Sequence, residues 1–298
     1  MWSPRGFDAF RARFPKTPAL LLPARATSER FITRWEALAD RGARRAALWE
    51  RRDAIVVLVR GFLGRYMPGN FVSAWRALGR AGIDALIAPT RPGGTVADNV
   101  RRLARAVDRL PRDRGLVFAG HSKGGIEALA LMIARPDLAA RTRRRLMSQT
   151  PHGASRVLES VLLGWHEDTL GPRRKLAEAA QRAGLAVLGA GRAGRELTGE
   201  RLPAILAPLD RALATLPFPI VQTASWSSRP TTWLDSFHER LGEIAPGVAH
   251  DGQFLLADLI WPAPIEHVLL PHLDHAQPVM DGFGFDSARY WETLVAGW

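Results

Sequence analysis

The chain has 298 residues, 47% of them apolar and 23% charged, which excludes a disordered chain and suits one large α/β domain better than two small ones. It contains no cysteine, so disulfides, thiolate metal sites and thiol nucleophiles are excluded. The formal net charge is +12, yet the arginines are scattered through predicted helices instead of forming one basic stripe, so a nucleic-acid partner is not expected.

Residues 1–52 read as a helical N-terminal extension rich in Arg, Ala and Trp. Arg5, Arg11, Arg13 and Lys16 precede Ala19-Leu20-Leu21-Leu22, with Ala24-Arg25-Ala26 behind them, which imitates a secretory signal. Pro18 and Pro23 leave its apolar part too short, so a cytoplasmic protein is expected. No apolar run approaches the length of a membrane-spanning helix.

Short apolar runs and amphipathic stretches then alternate. Ala54–Val59 is a strand ending at Arg60-Gly61. Asn70 is placed to cap a helix that buries Phe71, Trp75 and Leu78. Ile83–Ala88 is the next strand, stopped by Pro89 and Pro92. Thr95 caps a helix in which Val100, Leu103, Val107 and Leu110 face inward and Arg101, Arg102, Arg105 and Arg109 form the solvated side. Leu116-Val117-Phe118-Ala119 is a strand, and Ile126, Leu129, Ala130 and Ile133 mark the helix after it, which Pro136 ends. Arg141, Arg143, Arg144 and Arg145 read as a solvated cluster before a strand at Leu146–Gln149. The alternation stops over 155–216, an alanine- and arginine-rich helical block read as a cap, and resumes at Ile220–Ala224 and Ile265–Leu270. Such βαβ units imply a mostly parallel central sheet flanked by helices.

The chemistry concentrates at Gly120-His121-Ser122-Lys123-Gly124, between a strand and a helix. A serine there sits on a sharp turn at the carboxyl edge of the sheet, and the glycines are required because a Cβ would collide as strand and helix close. Its hydroxyl needs a base, and the base needs an orienting carboxylate. His275 lies deepest in the loop after the last strand and is preferred to His272; His267, inside the strand, reads as a core or edge histidine. Asp251, in His250-Asp251-Gly252, is the leading acid, with Asp235, Asp258 and Asp274 as alternatives. The backbone N–H groups of Lys123 and Phe62 are the expected oxyanion donors, Phe62 because Gly61 lets its amide turn inward. The Lys123 side chain reads as solvated, with a positive potential near the site as the alternative. Leu63, Leu162, Leu163, Trp165 and Leu188 are the expected apolar walls of a substrate pocket.

Taken together, Arg60-Gly61-Phe62-Leu63-Gly64, the serine segment, Thr150-Pro151-His152-Gly153-Ala154-Ser155, His250-Asp251-Gly252 and Leu273-Asp274-His275 resemble the α/β-hydrolase lipases. The nearest group is the bacterial true lipases, triacylglycerol lipases and related esterases. The resemblance spans about Ala54 to Val279. It implies the α/β-hydrolase fold with a helical cap, Ser122 as nucleophile, Asp251 as acid, His275 as base and Phe62 with Lys123 as oxyanion donors. The implied activity is hydrolysis of apolar carboxylic esters through an acyl-enzyme; an acyltransferase, a thioesterase or an inactive binding module would share the pattern. Arg60 stands where these lipases usually carry His. Gln277 stands where they often hold calcium with Asp, so no metal is expected, nor any cofactor. Beyond the ester substrate, the charge allows transient contact with an anionic membrane surface, and no obligate protein partner is implied.

Overall fold

The computed structural model describes Phe14, Lys16 and residues 25–165, 171–227, 229, 231–232, 235–262 and 264–297. The signal-like segment up to Ala24 lies outside them except for Phe14 and Lys16. The chain continues from two helices, α1 (Arg25–Ala37) and α2 (Arg41–Trp49), into β1 (Ala54–Val59), α3 (Val72–Arg80), β2 (Ala85–Ile87), α4 (Val96–Val107), β3 (Gly115–His121) and α5 (Lys123–Ala134). Next come α6 (Pro136–Arg141), β4 (Thr142–Ser148), α7 (Arg156–Leu163), α8 (Pro172–Val187), α9 (Gly191–Arg195), α10 (Leu202–Ala212), β5 (Ile220–Trp226), α11 (Asp235–Ile244), β6 (Glu266–Pro271) and α12 (Ser287–Gly297).

The six strands form one sheet in the order β2-β1-β3-β4-β5-β6, every neighbouring pair parallel. Covered on both faces, β1 is buried at every position and reads as an unbroken apolar run. Its alternation divides the core in two. Ile55, Val57 and Val59 join Leu116, Phe118, Ile126 and Leu129 on one face, where α4 and α5 pack. Val56 and Leu58 join Phe71, Leu78, Tyr290 and Trp291 on the other, where α3 and α12 pack. Each such fully buried side chain contributes about 1.5–3 kcal/mol of transfer free energy.

The N-terminal helices belong to this second layer. Phe31 lies 6.0 Å from Tyr290, ring to ring, Trp35 stacks on Phe285 at 5.6 Å, and Ser28 Oγ accepts the Leu269 amide of β6 at 2.8 Å. They therefore brace the β6 side of the sheet.

Three local expectations need correction. The helix after β1 starts at Val72 behind Phe71, which takes φ 64°, and Asn70 does not cap it. Trp75 is 44% exposed because the helix face toward the sheet is set by Ala74, Ala77 and Leu78; its indole donates to Ala85 O at the β2 edge. The strand expected from Leu146 begins at Thr142, so Arg143, Arg144 and Arg145 of the cluster are part of it, while Arg141 ends α6. Arg143 pairs with Asp53 at the exposed end. Arg145 is not solvated: it is fully buried and donates to Gly125 O beneath α5, and burial pushes its guanidinium down to about 9.

Candidate active site

The strand-to-helix turn places Ser122 at φ 53°, ψ −132°, a conformation that only a surrounding structure can impose on a side chain. Its amide donates to Ser148 O of β4 at 2.8 Å. A Cβ on Gly124 would strike the carbonyls of Val59 and Arg60, and one on Gly120 would lie 2.8 Å from Gly124 O. Gly61 answers from the facing loop: its Cβ would come 2.8 Å from that of Ser122. These close approaches explain the spacing of the glycines.

Asp251 lies at the foot of the isolated bridge His250–Leu255, and Gly252 turns the chain at φ 96°. One carboxylate oxygen accepts the amides of Gln253 and Phe254, both at 2.9 Å; the other meets His275 Nδ1 at 2.7 Å. The two residues are also joined through their backbones, His275 N donating to Asp251 O at 2.8 Å. Asp251 is fully buried and His275 nearly so. A third hold comes from His121. Burial and the neighbouring His275 push its imidazole down to about 3, so it stays neutral, and its Nε2–H donates to His275 O at 2.8 Å with Gln149 Oε1 at 3.2 Å. Gln149, at φ 47°, donates in turn to Asp274 O at 2.9 Å.

The competing residues are placed elsewhere. His272 is exposed at φ 57°. His267 accepts the Trp261 amide at 2.9 Å within the β6 edge. Asp274 accepts the amides of Ala276 and Gln277 at 2.9 and 3.0 Å. Asp258 lies under Gly153, its carboxyl raised by burial to about 6. Asp235 opens α11. Gln277 bridges its own loop, accepting from Asp274 N and donating to Phe283 O, both at 2.9 Å.

Ser122 and His275 line a common cavity of about 260 Å³. Its near wall is Gly61, Phe62, Leu63 and Met67; its far wall comes from the helical block, Leu158 and Val161 of α7, Leu185 of α8, Leu188 just past it, and Leu197. Among the described residues neither the Phe62 nor the Lys123 amide donates to another protein group. Of the expected pocket residues, Leu63 and Leu188 line the cavity. Leu162, Leu163 and Trp165 do not: α7 turns Leu158 and Val161 inward, leaving Leu162 against Gly194 of α9 and Trp165 39% exposed beyond the helix end. The spacing of Leu158 with Val161, and of Leu185 with Leu188, was the available signal for the inward faces.

Neither flanking cation lines the cavity. The Lys123 side chain is not solvated; Nζ is buried against Glu127 Oε1 at 2.6 Å and Gly94 O at 2.9 Å. Arg60 turns away from the cavity and donates to Asn70 O through Nε and one terminal nitrogen, each at 3.3 Å.

No family model matches the chain, and no curated protein matches it in sequence. Solved structures do. A carboxyl esterase from a metagenome is 22% identical, with 82% of this chain and 75% of that one covered at a TM-score of 0.56. The mature lipase of Bacillus licheniformis is 18% identical, with 75% of this chain and 85% of that one covered, also at 0.56. At these identities the likeness speaks for architecture, and with the six-stranded parallel sheet it gives the chain the α/β-hydrolase fold.

Proposed function

We propose that the protein is a serine hydrolase of apolar carboxylic esters. The observation that carries this reading is the strained Ser122 opening onto the same apolar cavity as His275, whose other ring nitrogen is held by Asp251. In this mechanism Ser122 Oγ attacks the ester carbonyl carbon while His275 Nε2 takes its proton. Asp251 fixes the tautomer with the proton on Nδ1 and stabilises the imidazolium that forms. The Phe62 and Lys123 amides donate to the oxyanion of the tetrahedral intermediate. Collapse expels the alcohol with the proton from His275, leaving an acyl-Ser122 ester. Water, deprotonated by His275, then releases the acid and restores the hydroxyl.

The apolar lining favours an acyl chain over a charged group. Each methylene buried in it is worth about 0.8 kcal/mol, so kcat/KM is expected to rise with acyl length until the cavity is full. The test combines a fluorophosphonate probe with p-nitrophenyl esters from acetyl to palmitoyl. Labelling of Ser122 alone, and a rising profile that then falls, is expected. Labelling elsewhere, or an active Ser122→Ala protein, would overturn the assignment.

A further inference from the structure

Lys123 follows Ser122 directly, yet its side chain leaves the cavity behind. Its buried Nζ reaches Glu127 Oε1, Gly94 O and, at 3.5 Å, Glu196 Oε2. Glu127 Oε1 also accepts from Asn99 Nδ2 at 2.7 Å. Asn99 brackets Arg91, accepting its amide at 2.8 Å and donating to its carbonyl at 3.0 Å. Through Gly94 O and the Arg91 amide and carbonyl, this network holds the loop Arg91-Pro92-Gly93-Gly94 between β2 and α4.

Both the oxyanion side and the cap rest on the same loop. Leu63, held at φ 56°, donates its amide to Pro92 O at 3.1 Å, which fixes the segment carrying Phe62. Gly93 lies so close to the link between α8 and α9 that a Cβ would come 2.9 Å from Ala190 Cα and from Gly189 O. Glu196, at the carboxyl end of α9, accepts the Val96 amide at 2.7 Å, just past the loop. A buried ammonium is costly without close partners, and Lys123 Nζ, almost fully buried, has Glu127, Gly94 and Glu196 packed around it. Displacing any of them shifts the residue whose amide faces the oxyanion.

We propose that Lys123, through the Arg91–Gly94 loop, is a positioning residue for both oxyanion donors, and that Glu196 makes their position depend on a seated cap. The kinetic part rests on the ester-hydrolase reading; the positional part does not. Glu196 does not line the cavity, so it acts only through Lys123 and Val96.

The test compares Glu196→Ala, Glu196→Gln and Asp210→Asn in the full chain. Asp210 anchors the cap by a different route, through His152 Nε2 at 3.1 Å, without touching the Arg91–Gly94 loop. Glu196→Ala is expected to lower kcat for p-nitrophenyl acetate on the order of tenfold with KM little changed, since small displacements of positioned groups carry such losses. Backbone amide exchange should quicken at residues 61–64 and 122–126. Glu196→Gln, which keeps an acceptor for Val96 N and Lys123, should recover most of both, and Asp210→Asn should leave both as in the unaltered protein. Unchanged exchange in Glu196→Ala, a loss confined to KM, or an equal loss in Asp210→Asn would overturn the proposal. If the unaltered protein turns over no ester while exchange still responds to Glu196→Ala, the hydrolase reading fails and the positioning role stands.

Discussion

The sheet edge and the cap face one cavity but are built on opposite terms. At the edge, Ser122, Asp251 and His275 are nearly or fully buried, and each is fixed by backbone: a positive φ at Ser122, two amides on Asp251, two backbone bonds on His275. In the cap, Leu185 and Gly184 of α8 and Leu188 just past it line the cavity, yet Leu188 is exposed along with Leu176 and Val187, and Gly184 has open space where its Cβ would be. The contrast follows from the demands of each side. In the proposed mechanism the edge relays a proton, which tolerates little displacement, whereas an apolar wall asks only for side chains of about the right size.

The largest effects are expected where the edge is broken. His275→Ala should cost roughly as much turnover as loss of the serine, and Asp251→Asn on the order of 10⁴-fold in kcat, because the amide favours the wrong tautomer of His275. Steady-state kinetics with circular dichroism to confirm folding checks both. Near-normal turnover by Asp251→Asn would remove it as the acid and return Asp235, Asp258 and Asp274 to consideration.

One substitution, made on both sides, separates the two constructions. Gly124→Ala places a methyl group against the Val59 and Arg60 carbonyls, backbone that cannot move aside. It should destabilise by about 1–3 kcal/mol and abolish activity. Gly184→Ala puts the same methyl group into open space inside α8 and should stabilise by about 0.4–1 kcal/mol. Thermal melts read both signs. A stable, active Gly124→Ala protein would show that the edge is no tighter than the cap.

Within the cap, Leu185→Ala is expected to lower kcat/KM for longer acyl esters by about tenfold and to leave acetyl esters alone. Trp165→Ala should change neither, since Trp165 does not line the cavity and is exposed. An equal response from both variants would mean that the cap closes differently around substrate.

This difference also decided what could be read from the chain before its structure. The serine turn, Thr95 as a cap and the alternation of strand and helix are local matters, set by sterics and periodicity within a few residues, and Thr95 Oγ1 does accept the Asp98 amide at 3.2 Å. The pairing of Asp251 with His275 was approachable because both lie in loops after successive strands. What the sequence hid was non-local. Arg145 looks like a surface residue among four arginines until α5 covers it. Lys123 gives no sign of the distant Gly94 and Glu196 that enclose it. The inward face of α7 depends on where α9 packs, and that placed Leu158 and Val161, not Leu162, on the cavity.

The smallest effect tests the seam between the two regions. Asp258 sits under Gly153, its main-chain carbonyl accepting the His152 and Gly153 amides at 2.7 and 2.8 Å. Burial raises its carboxyl from 3.8 to about 6; Arg156 of α7 opposes the shift, and Glu159 and Asp251 add to it. One carboxyl oxygen has no hydrogen-bond partner among the described residues. Because the folded pKa lies above the unfolded one, the folded protein binds the extra proton between those values. Stability therefore falls as pH rises through that window, and the full penalty is present above it. Asp258→Asn removes the charge and keeps the carbonyl. It should raise stability by on the order of 2 kcal/mol near pH 8, a few degrees in Tm, with the gain vanishing below about pH 4, where the native carboxyl is protonated. His121, whose folded pKa is depressed, acts oppositely and lowers stability as pH falls through its own window, so the comparison must be variant against unaltered protein at each pH. A gain that does not change with pH, or a loss at pH 8, would show that the Asp258 carboxylate bonds the cap helix α7 and is not strained beneath it.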